Sequence, residues 1–161
     1  MSFTRDGRTV LFNRSVPRSN LYFICTSTFR GGHWSEPAVA PFSGRYWDFD
    51  AVFSPDGKKV FFGSDRPVPG RTKKDQDFNI WMVQKTARGW GEPEYLDDTV
   101  NSGEDETFAS PAANGTLYFV SGRDGGREHL AIYRSEAGRR TEVVQIETDL
   151  FTIGPEILFP S

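Results

Sequence analysis

The strongest constraint on this chain is that it repeats itself. Trp34-Ser35-Glu36-Pro37 returns as Trp90-Gly91-Glu92-Pro93, 56 positions on, and Ser54-Pro55 returns as Ser110-Pro111 at the same displacement. Phe3-Thr4-Arg5-Asp6-Gly7 matches Phe53-Ser54-Pro55-Asp56-Gly57 at a displacement of 50, and Asn114-Gly115 supplies a third turn after a two-residue insertion. A period of roughly 40 to 60 residues built from short strands points to propeller blades rather than to a single sandwich.

Each Asp-Gly or Asn-Gly joins two runs that read as strands, because those pairs supply the positive backbone angles of a tight hairpin. The first strands are expected at 48–53 and 105–109, with a stub at 2–4 and a further inner strand at 156–159. Second strands follow at 9–13, 59–64 and 116–121, rich in β-branched and aromatic residues. Third strands fall at 20–26, 79–84 and 130–134, and fourth strands near 37–40, 93–96 and 141–146. The expectation is an all-β, partial β-propeller: four-stranded antiparallel blades over about 1–42, 46–98 and 103–148, plus the inner strand of a further blade at about 155–161. The 16 Gly and 10 Pro among 161 residues agree, since they interrupt any long helical pattern.

The second unit is the most distinctive. Phe53-Ser54-Pro55-Asp56-Gly57-Lys58-Lys59-Val60-Phe61-Phe62, followed by Ser64-Asp65-Arg66 and Asn79-Ile80-Trp81, resembles the Pro-Asp type of WD-like repeat in TolB-like β-propellers. Trp90-Gly91-Glu92-Pro93 through Val100-Asn101-Ser102, then Thr116-Leu117-Tyr118-Phe119, Ser121-Gly122-Arg123 and Ile132-Tyr133, is similar to the linker and repeat of TolB-like periplasmic and outer-membrane-associated proteins. The resemblance covers nearly the whole chain. Thr4-Arg5 replaces Ser-Pro in the first unit, and Ala112-Ala113-Asn114 replaces the Pro-Asp step in the third, so position identifies those two units. The resemblance implies a platform that binds a protein or a small polar ligand, with no particular reaction, in a periplasmic or secreted setting; fold does not fix function.

Charge and composition narrow the partners. With 19 basic and 22 acidic residues and no Lys/Arg stripe, the footprint of a nucleic-acid binder is missing. Neither a signal peptide nor a membrane span is visible in the charged opening 1–14, which leaves the compartment unset. No cofactor or metal is expected: His33 and His129 lack metal-ligand spacing, no nucleophile-elbow motif is present, and the lone Cys25 sits in an apolar strand.

Two recurrences nominate site residues. Asp50, Glu106 and Glu156 fall at the starts of first strands, and Arg14, Arg66 and Arg123 fall just past the ends of second strands. In an antiparallel hairpin these places share one rim, so acids and arginines can meet. One reading is a structural Arg–carboxylate pair in each blade; the other is a polar ring around the channel mouth that captures a polar ligand, peptide or cation. Trp47, flanked by Tyr46, Asp48 and Asp50, could stack on a sugar, and two carboxylates about 5 to 10 Å apart could hydrolyse one; packing between blades is the plainer role for such rings. The stretch 65–77 reads as a long exposed loop. An enzyme is not expected, the alternative being a fragment of a carbohydrate-active or peptidase-associated propeller.

Three blades leave two outward faces uncovered, whereas rings usually hold four to eight. Either the chain is part of a longer propeller, the favoured reading, or two copies close a six-bladed ring head to tail with residues 156–159 of one completing the stub of the other.

Overall fold

A computed structural model describes residues 1–16, 21–71, 78–123, 130–136 and 141–144. Among these residues all regular structure is strand, in three antiparallel sheets. The first contains β1 (Ser2–Phe3), β2 (Thr9–Ser15), β3 (Tyr22–Arg30), β4 (His33–Trp34) and β5 (Ala38–Val39). The second contains β6 (Asp48–Phe53), β7 (Lys59–Ser64), β8 (Asn79–Thr86), β9 (Gly89–Trp90) and β10 (Glu94–Tyr95), and the third contains β11 (Glu106–Pro111), β12 (Leu117–Ser121), β13 (Ala131–Ser135) and β14 (Glu142–Val143). In each sheet the first, second and third strands are hydrogen-bonded in chain order. The expected inner strand at 155–161 lies outside the described residues.

The repeated Trp-x-Glu-Pro motif marks a break that the sequence did not reveal. β4 pairs with the end of β3 (Phe29↔Trp34) while β5 pairs with its middle (Cys25↔Val39); β9 and β10 divide β8 in the same way. Between the halves stands Pro37 or Pro93, which has no N–H to donate to a ladder. The fourth strand of these two blades is therefore an interrupted one.

The hairpin turns show why Thr4-Arg5 can replace Ser-Pro. Thr4 Oγ1 donates to Asp6 Oδ1 at 2.6 Å and accepts Thr9 N–H at 3.0 Å; Ser54 Oγ donates to Asp56 at 2.6 Å and accepts Lys59 N–H at 2.9 Å. The turn needs a hydroxyl, an aspartate and a glycine at positive φ (68° at Gly7, 69° at Gly57), and both carry them. The third turn runs from Ala112 to Thr116 and closes through Gly115 N–H to Ala112 O at 3.1 Å. Ser110 and Pro111 are not its start. They end β11, opposite Tyr118 and Leu117, so their match to Ser54-Pro55 is accidental. The two extra residues enter upstream, in the Asp97–Thr99 turn, where Val100 N–H and Asn101 N–H both return to Asp97 O.

Two apolar cores lie between the sheets. Leu11 and Ile24 of the first meet Phe53, Val60, Phe62, Trp81 and Val83 of the second. On the other face of the second sheet, Ile80 with half-buried Val52 and Phe61 meets Ala109, Leu117, Phe119 and Tyr133 of the third. The places that β7 and β8 fill with Phe61 and Ile80 are filled in β12 and β13 by Tyr118 and Ile132, and Ile132 stands 39% exposed. At the opposite end of the array Phe3 holds the place of Phe53 and is 49% exposed. Both terminal faces thus carry residues of the kind that join blades.

Candidate functional site

Asp48 opens β6 and is fully buried. Its Oδ1 accepts Ser64 Oγ at 2.7 Å and Arg66 Nη2 at 2.6 Å, and its Oδ2 accepts Ser43 Oγ at 2.7 Å. Arg66, only 8% exposed, also donates through Nε to Ser64 Oγ at 2.9 Å and through Nη2 to Phe42 O at 3.2 Å. Its guanidinium lies over Phe62 (4.8 Å), Trp81 (5.2 Å) and Tyr46 (5.5 Å). A charge this deep is tolerated only when paired and hydrogen-bonded, and this one is both.

The third blade repeats the device. Glu106, fully buried at the start of β11, accepts Ser121 Oγ at 2.6 Å, Ser102 Oγ at 2.5 Å and Ser102 N–H at 2.7 Å. Arg123 Nε donates to Ser121 Oγ at 3.0 Å and its Nη2 to Val100 O, lies 3.6 Å from Glu106 Oε1, and stacks over Tyr133 (4.8 Å) and Phe119 (5.2 Å). Burial pushes the Glu106 carboxyl above its usual range, against the pull of the two serines and Arg123. In the second and third blades the carboxylate binds the linker before it, the end of the second strand and the arginine beyond. Each cluster is a clasp.

The equivalent of Glu106 is therefore Asp48 and not Asp50. Asp50 sits at φ 52° on a bulge in β6, and the matching residue on the bulge of β11 is Phe108, at φ 53°. No hydrogen bond anchors the half-buried Asp50 carboxyl among the described residues, and burial raises it above its ordinary value. Arg14 is also misassigned. Counting from Gly7 and Gly57, it holds the place of Ser64, still within β2 and paired with Phe23, while Val16 holds the place of Arg66. Glu156 and His129 lie outside the described residues.

Trp47 is brought into an aromatic group that the sequence did not assemble. Tyr22 meets it edge-on at 5.6 Å, Phe78 stacks on it at 5.9 Å with planes 5° apart, and Phe49 meets Phe78 at 5.0 Å. The signal was present: Tyr22 and Phe78 are 56 positions apart at the starts of third strands. Backbone bonds hold Trp47 in place, its N–H donating to Asp65 Oδ1 at 2.9 Å and its carbonyl accepting Asp65 N–H at 3.2 Å. Tyr22 and Tyr46 on the same rim are 45% and 36% exposed.

The remaining candidates are plain. The described part of the expected loop, 65–71, ends on Arg71, which pairs with Asp98 and lies over the Tyr95 ring. Cys25 is buried, and burial raises its thiol above the usual range. His33 is exposed, with Nδ1 3.2 Å from Gly31 O. Among the described residues no group of three His, Cys, Asp or Glu side chains comes together as metal ligands would, and no helix is long and apolar enough to cross a membrane.

No family model matches the sequence, and no curated protein matches it. Solved structures do. TolB from Acinetobacter baumannii superposes with a TM-score of 0.63 at 19% identity, covering 88% of this chain and 31% of that one. The putative TolB from Agrobacterium tumefaciens gives 0.61 at 18% identity, covering 88% of this chain and 47% of that one. The chain thus spans less than half the length of either protein. Three sheets packed face to face through two apolar cores, on this match, have the fold of a TolB-like β-propeller.

Proposed function

We propose that this chain is a non-catalytic binding module, and that its ligand surface is the clasp-bearing rim around Trp47. What supports the reading is the contrast on that rim between a rigid base and an accessible edge. Of the residues expected to form a polar ring, Arg66, Glu106 and Arg123, together with Asp48, are consumed by each other and by serines. Left accessible are Tyr22, Tyr46 and part of Trp47, rings with an apolar body and polar tips, the composition favoured where proteins meet polar partners or saccharides. Glycoside hydrolysis by Asp48 and Asp50 would need two reactive carboxylates, and Asp48 is fully buried beneath Arg66.

An array of saccharides and extended peptides, read by calorimetry, tests this. Saturable binding that falls about tenfold or more in Trp47→Ala and Tyr46→Ala is the expected result. Turnover of a bound saccharide would replace the binding module with the enzyme reading, and binding indifferent to both substitutions would remove the rim as the site. The open faces at Phe3 and Ile132 are, we propose, covered by further blades of this kind; light scattering that shows a stable dimer assigns them to a second copy, and a well-folded monomer refutes dimeric closure.

A further inference from the structure

The opposite rim, where the hairpin turns lie, carries a cavity of about 410 Å³ to which all three blades contribute. Its apolar wall is Phe61, Pro111 and Leu117, and two cations stand on its border: Arg5 from the first turn and Lys59 from the start of β7. Neither cation makes an ion pair among the described residues. Asp56, the carboxylate on the same border, is already engaged inside its own turn, where it accepts Ser54 Oγ at 2.6 Å and Lys58 N–H at 3.0 Å. Those two bonds hold its carboxyl below the ordinary range, so it stays an anion committed to the turn.

Arg5 has no part in building its turn. It occupies the place held by Pro55 in the second turn and Ala113 in the third, both on the same cavity. The turn is made by Thr4, Asp6 and Gly7, and an apolar residue suffices at the intervening position of the other two. The site therefore combines surplus positive charge with an apolar wall, at a size within the usual range for small-ligand pockets of about 300–1,000 Å³.

We propose that this cavity binds an amphiphilic organic carboxylate, with its anionic head between Arg5 and Lys59 and its hydrocarbon body against Phe61, Pro111 and Leu117. Charge-assisted hydrogen bonds to the head fix orientation, and burial of the body supplies the rest. The site is separate from the Trp47 rim, and either can fail without the other.

The probe is 4-phenylbutyrate, titrated into the intact chain and followed by amide chemical shifts, with 4-phenylbutanol as the uncharged match. Saturable shifts are expected at Phe61, Ala113 and Leu117, with the alcohol binding about tenfold more weakly and the acid weakening as salt rises. Arg5→Gln and Lys59→Gln, both at exposed positions, are each expected to weaken the acid several-fold and leave the alcohol unchanged. Equal affinity for acid and alcohol, indifference to both substitutions, or no saturable shift at millimolar probe would each overturn the proposal. Circular dichroism of the two variants separates lost binding from lost fold.

Discussion

Replacing Asp48 with alanine is expected to lower the unfolding free energy by about 3–5 kcal/mol, a large part of the roughly 5–15 kcal/mol that holds a typical domain. The cost comes from what is left behind. Arg66 would remain 8% exposed with its Nη2 stripped of its charge partner, and Ser43 and Ser64 would each lose a 2.7 Å acceptor. Asp50→Ala is the control, expected to change stability by less than about 1 kcal/mol or to raise it, since it removes a half-buried carboxyl that burial already disfavours. Chemical denaturation of the two variants decides: equal effects would mean that the clasp does not carry the fold. Glu106→Ala should behave as Asp48→Ala does, but its pH dependence differs in sign from that of an ordinary paired carboxylate. Its folded pKa is raised, so the proton is held more tightly in the folded state; that stabilisation is full below the unfolded value and is lost as pH rises through the folded one. Glu106→Gln keeps neutral hydrogen-bonding capacity at all pH and should therefore gain on the native chain as pH rises past the carboxylate range.

How far the sequence could be read follows from the same residues. Strand existence was legible because Asp6-Gly7, Asp56-Gly57 and Asn114-Gly115 each sit between short runs of β-branched and aromatic residues, a signal carried within ten or so positions. The expected bounds of β6, 48–53, and of β7, 59–64, are those observed. What failed was alignment between blades. The 56-residue displacement set by Trp34 and Trp90 holds through the third and fourth strands, then changes to 58 across the Asp97–Thr99 turn, whose extra length is invisible without its hydrogen bonds. Carrying 56 forward matched Glu106 with Asp50, and the presence of two aspartates two positions apart concealed the slip. The bulges in β6 and β11 are equally unmarked, because Asp50 and Phe108 share a backbone angle and no chemistry. The Trp47 group needed contacts across two blades, which no local pattern holds.

Phe62→Ala is expected to be the other severe change, at about 3–5 kcal/mol, and its particular value is that it tests two layers at once. Phe62 is fully buried, packs on Phe42 at 5.2 Å between the first two blades, and carries the Arg66 guanidinium 4.8 Å above its ring. Truncation opens a cavity in the interblade core and also removes the face on which the clasp rests. Phe62→Leu separates these effects, since it restores most of the volume without a π-face. If the ring supports the arginine, Phe62→Leu and Arg66→Met should couple by about 0.5–2 kcal/mol in a double-mutant cycle. Phe119 under Arg123, at 5.2 Å, should repeat the result in the third blade. Additive effects at both places would show that clasp and core are independent, and that each arginine is held by its carboxylate and serines alone. Coupling at both would make the clasp part of the packing between blades, with the buried charges of Asp48–Arg66 and Glu106–Arg123 serving the fold.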